Sequence, residues 1–172
     1  MTVPAEKSQS LDKRMDKYTV KFESREEDWG ALDFQTKVSP NYRRAQIRYL
    51  GGGGTGMHND PNVITPEHFT LSTMLLPAGC EGPLHIHHDV EEVFFVIQGA
   101  VTIIWEEDGV ESERVIGARD MTYTPAGVYR GLRNHTDADC LMLVMLGSPK
   151  PQLPNYPPGS AMEKARKEAK GY

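Results

Sequence analysis

Three side chains in one short segment have the types and spacing of a metal site: His85, His87 and Glu92. Residues two apart on an extended strand point to the same side, so the imidazoles of His85 and His87 share a face. The chain then turns at His88, Asp89 and Val90. On the returning strand Glu92, Phe94 and Val96 take one face, and Glu91, Val93, Phe95 and Ile97 take the other. Two imidazoles and one carboxylate from neighbouring strands can converge on one cation. Neutral imidazole suits Zn, Cu, Fe and Ni, and a carboxylate accepts harder ions. Two His plus one carboxylate, with positions left open, is the ligand set of non-haem Fe(II) oxygen chemistry.

Short strands must position such a cluster, and the sequence around it supplies them. From Phe69 onward, β-rich runs end at turn residues every ten residues or so: 69–76, 93–97, 100–105, 110–116, 121–124, 128–133 and 139–146. Many short strands with no helical segment between them predict an all-β sandwich or barrel. Upstream, residues 1–17 read as a flexible tail, 18–22 as a first strand, and Ala45–Leu50 as a strand stopped by the glycine cluster 51–56. Gly51, Gly53 and Gly56 satisfy the dinucleotide fingerprint G-x-G-x-x-G, but no helix can follow directly through Met57, His58, Asn59, Asp60 and Pro61. Without a βαβ context the fingerprint carries no phosphate cradle, and the cluster reads as a loop over the barrel mouth. After Gly147 come Pro149, Pro151, Pro154, Pro157 and Pro158, an extended segment. Ser160 and Glu163 then form a capping-box pattern ahead of a short, peripheral helix.

Composition narrows the function classes. The 172 residues suit one domain with arms, and 38% hydrophobic with 25% charged residues is ordinary for a folded chain. A net charge of −5 disfavours nucleic acid and anionic membranes, which need clustered Lys and Arg. Two cysteines, Cys80 and Cys140, do not make a secreted disulfide scaffold. With no apolar signal segment in residues 1–17 and a longest apolar run of seven residues, a cytoplasmic protein is expected.

The segment carrying the cluster resembles the first motif of the cupin superfamily, G-x5-H-x-H-x3–4-E-x6-G. Gly79, His85, His87, Glu92 and Gly99 all match, and the six-residue spacing to Gly99 selects Glu92 over Glu91. The resemblance implies a double-stranded β-helix barrel. The second motif, G-x5-P-x-G-x2-H-x3-N, is matched at Pro125, Gly127 and Asn134, but Arg119 stands in place of its leading Gly and Arg130 in place of its His. A guanidinium has no lone pair for a metal and stays charged. Three readings of Arg130 stay open: it clamps an anionic substrate beside the metal, it pairs with Glu92 and abolishes metal binding, or it points out of the pocket. An inward Arg130 would make Arg130→His complete a four-ligand site, whereas Arg130→Ala should leave the fold intact.

The resulting expectation is a single cupin barrel over 69–147, with a tail (1–17), an N-terminal arm (18–68) and a Pro-rich tail with helix (148–172). The resemblance implies a metal-dependent small-molecule enzyme, an oxidoreductase, isomerase or lyase, acting on an anionic molecule. His85, His87 and Glu92 would hold a divalent ion, Fe first, with Zn, Mn or Ni as alternatives. Arg130, Tyr123, Met74 and Phe94 would meet the substrate, the last three otherwise being core. The rival expectations are a ligand-binding barrel without turnover and a metal-free isomerase. A homodimer is the default for such a barrel. His58, His68 and His88 read as loop residues, and Arg43, Arg44 and Arg48 as surface charges.

Overall fold

The computed structural model describes residues 10–170 of the chain. Nine strands form two antiparallel sheets. In chain order these are β1 (Ala45–Leu50), β2 (Thr70–Leu76), β3 (Glu81–His85), β4 (Glu92–Gln98), β5 (Ala100–Glu107), β6 (Val110–Gly117), β7 (Met121–Thr124), β8 (Tyr129–Arg133) and β9 (Cys140–Leu146). One sheet runs β1-β2-β9-β4-β7 and the other β3-β8-β5-β6. Each consecutive pair is separated by the turn residues that the sequence shows, and the strand bounds follow them closely.

Alternation fixes which face is inside. β2 and β9 pair along their whole length, from Thr70 opposite Leu146 to Leu76 opposite Cys140, and both bury every second residue. Met74, Leu76, Phe94, Val96, Leu132 and Met142 thereby meet between the two sheets in one continuous core. Each such side chain contributes roughly 1.5–3 kcal/mol on burial. Gly99 closes the β4–β5 turn at φ 79°. A Cβ there would stand 2.5 Å from the Asp139 carbonyl oxygen, so this motif glycine is required both by its dihedral and by the close approach of the chain.

Three expectations for the arms are corrected. Residues 18–22 form no strand: Phe22–Ser24 is a 3-10 turn closed by local hydrogen bonds, and Tyr18 and Phe22 face solvent. The stretch 1–17 read as a tail contains a helix, α1 (Leu11–Lys17), whose first turn is capped by the Ser10 hydroxyl; residues 1–9 of it lie outside the described residues. Arg44 and Arg48 are not surface charges. Arg48 sits between Asp28 at 2.8 Å and Asp60 at 3.1 Å, with its side chain largely buried, and Arg44 is buried in the arm. Arg43 stacks its guanidinium 4.1 Å from the centre of the Trp29 ring.

At the C-terminal end, α2 (Ala161–Lys170) begins at the expected cap. The Ser160 hydroxyl accepts from the Glu163 N–H at 3.1 Å, and the Glu163 carboxylate reaches back to the Gly159 N–H at 2.8 Å. Met162 and Ala165 are buried. The helix packs on the 3-10 turn Asp33–Lys37 of the N-terminal arm. Both arms therefore close over the same end of the barrel.

Candidate metal centre

The β3–β8 ladder places His85 directly opposite Arg130, and the β8–β5 ladder places Trp105 on the other side of Arg130. Directly paired residues share a face, so His85 and Arg130 both point into the barrel. Glu92 opens β4 in the facing sheet, between Thr124 and Leu146. His87 lies just past the end of β3, and its carbonyl accepts a 2.8 Å hydrogen bond from the Gly127 N–H. That bond ties the turn of the second motif to the histidines of the first.

The three expected ligands come together. One nitrogen of each imidazole and one Glu92 oxygen all lie within 4.8 Å of one another. His85 Nε2 is 3.6 Å from Glu92 Oε2, and the two imidazole rings meet edge to face with centres 5.3 Å apart. His85 Nδ1 is fixed by the Pro83 carbonyl at 3.0 Å, which leaves Nε2 toward Glu92. Glu91 does not share the site: it packs on the backbone of Gly147.

The electrostatics favour the protonation states that a metal requires. Burial pushes His87 down to about 4, with Glu92 opposing, so its imidazole is neutral at pH 7. Burial works to raise the Glu92 carboxyl, but His85, His87 and Arg130 together hold it below the usual carboxylate range. At 3.6 Å the His85 contact is too long for a good hydrogen bond, and Arg130 is the permanent positive charge beside the carboxylate. His87 Nδ1 and Glu92 Oε2 are buried and have no hydrogen-bond partner. A neutral His87 imidazole, an ionised Glu92 carboxylate and buried polar atoms left over between them suit a divalent cation.

Arg130 is fully buried, at 0% exposure. Its Nε is 3.3 Å from Glu92 Oε2, and Nη2 donates to the Pro125 carbonyl at 3.4 Å. The outward reading of this side chain is thus excluded. Burial lowers the Arg130 pKa and Glu92 opposes the shift. Arg130 is not among the residues lining the cavity; its guanidinium contacts Glu92. Its removal would leave Glu92 buried without a cation, so Arg130→Ala is no longer expected to be harmless to the fold.

The cavity itself measures about 50 Å³. Met74 and Phe94 line it as expected, together with His85, His87 and Glu92. Tyr123 does not. It pairs with Val93 on the outer face of the sheet and is 52% exposed, because β7 turns its odd-numbered side chains outward. Gly53, Gly54 and Thr55 cover the cavity, and a Cβ on Gly54 would come within 3.2 Å of the His87 ring. The glycine cluster is therefore a close-fitting loop against a histidine. His58, His68 and His88 are exposed. Sequence reasoning missed the wall contributed by the two arms: Gln35, Arg44, Tyr156 and Arg166. No spacing rule connects residues 121 positions apart, so no local signal could have found it.

Residues 72–146 match the family model described as cupin domain. These residues form a cupin domain. No curated protein matches it in sequence. Its barrel is similar to an oxalate decarboxylase variant from Bacillus subtilis, with 15% identity, a TM-score of 0.53, and coverage of 75% of this chain and 29% of that one. It is likewise similar to the Lactobacillus farciminis oxalate decarboxylase formate complex, with 16% identity, a TM-score of 0.50, and coverage of 62% and 29%. A Thermus thermophilus protein aligns over 52% of this chain and 79% of its own length, at 23% identity and a TM-score of 0.45. This chain thus spans under a third of the two decarboxylases, and the likeness is one of fold. No helix among its described residues is long and apolar enough to cross a membrane.

Proposed function

We propose that this cupin is a metal-dependent enzyme acting on a small anionic molecule, with His85, His87 and Glu92 holding one divalent ion. The observation that carries this reading is the convergence of their three ligand atoms within 4.8 Å at the wall of a cavity. A bound divalent ion would supply Lewis acidity, or an open coordination position for O₂ if it is Fe(II), the first expectation ahead of Zn, Mn or Ni. The residues themselves do the rest. The Pro83 carbonyl orients His85, burial keeps His87 neutral, and Arg130 keeps Glu92 ionised. The loop at Gly53–Thr55 and the two arms narrow the access of water.

The 3.3 Å contact between Arg130 and Glu92 favours one rival: a metal-free isomerase in which His85 and Glu92 act as an acid–base pair, with Arg130 neutralising the carboxylate. Elemental analysis of protein purified without added metal separates the two. About one equivalent of metal per chain supports the first reading, and a metal-free protein that still turns over substrate supports the second. A homodimer belongs to the same proposal. Phe95, Ile97, Met121 and Tyr123 leave an apolar patch on the outer face of β4 and β7, which a second copy would cover. Light scattering would show a dimer in the wild type and a monomer in Phe95→Lys; a monomeric wild type removes the dimer without touching the site.

A further inference from the structure

The cavity lined by the metal-type cluster is also lined by Arg44 and Arg166, two guanidiniums without an ion pair among the described residues. Arg44 is 6% exposed. Its Nη1 donates to Gln35 Oε1 at 2.5 Å and to the Tyr42 carbonyl at 3.2 Å, both neutral acceptors, and its Nε has no partner. Arg166 on α2 stacks 4.9 Å from the centre of the Phe34 ring, and its Nε is also buried without a partner. Neither guanidinium has a carboxylate within 4 Å among the described residues, whereas Arg48, Arg130 and Arg133 all do. Among the described residues Glu92 is the only carboxylate lining the cavity; it contacts Arg130 and acts on Arg44 only from beyond ion-pair distance.

The neutral groups between the cations are polarised toward the cavity. A guanidinium only donates, so Gln35 must present its oxygen to Arg44 and its NH₂ to Tyr156. Gln35 Nε2 donates to the Tyr156 hydroxyl at 2.7 Å. Tyr156 therefore accepts there and keeps its own proton for another acceptor. Gln35 and Tyr156 are both buried, and both line the cavity with the two arginines. Burying a cation with only neutral partners is costly unless an anion joins it. A planar carboxylate or a phosphate matches the arginine fork with two parallel bonds.

We infer that Arg44, Tyr156 and Arg166 form an anion-binding subsite, which takes a carboxylate or phosphate group of the substrate while the other end of the same molecule faces His85, His87 and Glu92. This deepens the small-molecule reading and rests on it only for the role of the histidine end. The anion clamp is thereby assigned to the two arms rather than to Arg130, whose guanidinium contacts Glu92. Phe34, Gln35 and Arg44 come from the N-terminal arm, and Tyr156 and Arg166 from the C-terminal segment. All lie outside the 72–146 match, so the barrel supplies one end of the site and the arms of this chain supply the other. The cavity of about 50 Å³ limits the enclosed part of the ligand.

The test titrates inorganic phosphate, and separately succinate, into the chelator-treated full-length protein, read by calorimetry and by thermal shift. Wild type should bind one anion per chain saturably, and the better-bound probe tells carboxylate from phosphate. Arg44→Met should weaken binding at least tenfold and Arg166→Met severalfold. Arg44→Lys, which keeps the charge and guards against a folding defect, should retain part of it. A wild type that binds the anion but no divalent ion would overturn the metal reading and leave the subsite standing. Absence of saturable binding in wild type, or equal affinity in Arg44→Met, overturns the subsite.

Discussion

Arg130 Nε lies 3.3 Å from Glu92 Oε2 inside the barrel, and neither atom has a well-formed hydrogen bond. The pair is held in place by the ladders rather than by its own geometry, because β8 sets Arg130 opposite His85 while β4 brings Glu92 from the facing sheet. A cation thus occupies the strand position where the motif has its fourth ligand. It neutralises the carboxylate in the resting protein and opposes a divalent ion beside it.

Two substitutions separate these roles. Arg130→Ala leaves a buried carboxylate without its cation and should cost about 3–5 kcal/mol of unfolding free energy in a denaturant titration. Arg130→His removes the opposing charge and adds an imidazole facing the same cluster. Metal affinity measured calorimetrically should rise at least tenfold; an unchanged affinity would mean that Arg130 has no influence on the ion.

His87 makes stability depend on pH. Its folded-state value is about 4, against an ordinary value near 6.5, with burial as the main cause. The unfolded chain therefore binds the proton first as pH falls, and stability rises with pH between about 4 and 6.5. The effect is worth at most about 3.4 kcal/mol across that window. Glu92, held below its usual range, loses stability in the same direction at lower pH still. Urea titrations of chelator-treated protein at pH 5 and pH 7 should show the difference, and His87→Gln should flatten it. A wild-type stability independent of pH over this range would show that His87 protonates as easily folded as unfolded.

Arg119 adopts φ 77° where the motif has glycine, and its N–H still bonds the Val96 carbonyl at 2.9 Å. The left-handed conformation costs a side-chain-bearing residue about 1–2 kcal/mol, and part of that returns as extra freedom of a glycine in the unfolded chain. Arg119→Gly should therefore stabilise the protein by up to about 1 kcal/mol, seen as a higher urea midpoint with unchanged metal and anion binding.

What was legible in the sequence follows from local physics. The strands β5 to β9 could be read because glycines, prolines and Asx residues punctuate alternating apolar runs, and parity separated Glu92 from Glu91. Asn134 shows why its motif position is structural. Its Nδ2 faces the carbonyls of Leu76, Pro77 and Ala138 at 2.9–3.2 Å, and its Oδ1 accepts from Thr136, stitching the ends of β2 and β8. Tyr123 was misplaced because β7 is short and its inward face depends on pairing with β4, not on its own pattern. The arms were misread for the opposite reason. Arg44 and Tyr156 look like isolated polar residues in irregular chain, and only the closing of both arms over one end of the barrel brings them to the same cavity as His85.

The most direct test is calorimetric titration of Fe(II), Mn(II), Ni(II) and Zn(II) into chelator-treated wild type and His87→Ala, under anaerobic conditions for Fe(II). Wild type should bind one equivalent per chain of at least one of these ions, and His87→Ala should lose that binding by at least a hundredfold. A wild type that binds none of them, or a His87→Ala protein that binds as well as wild type, would contradict a metal centre at His85, His87 and Glu92.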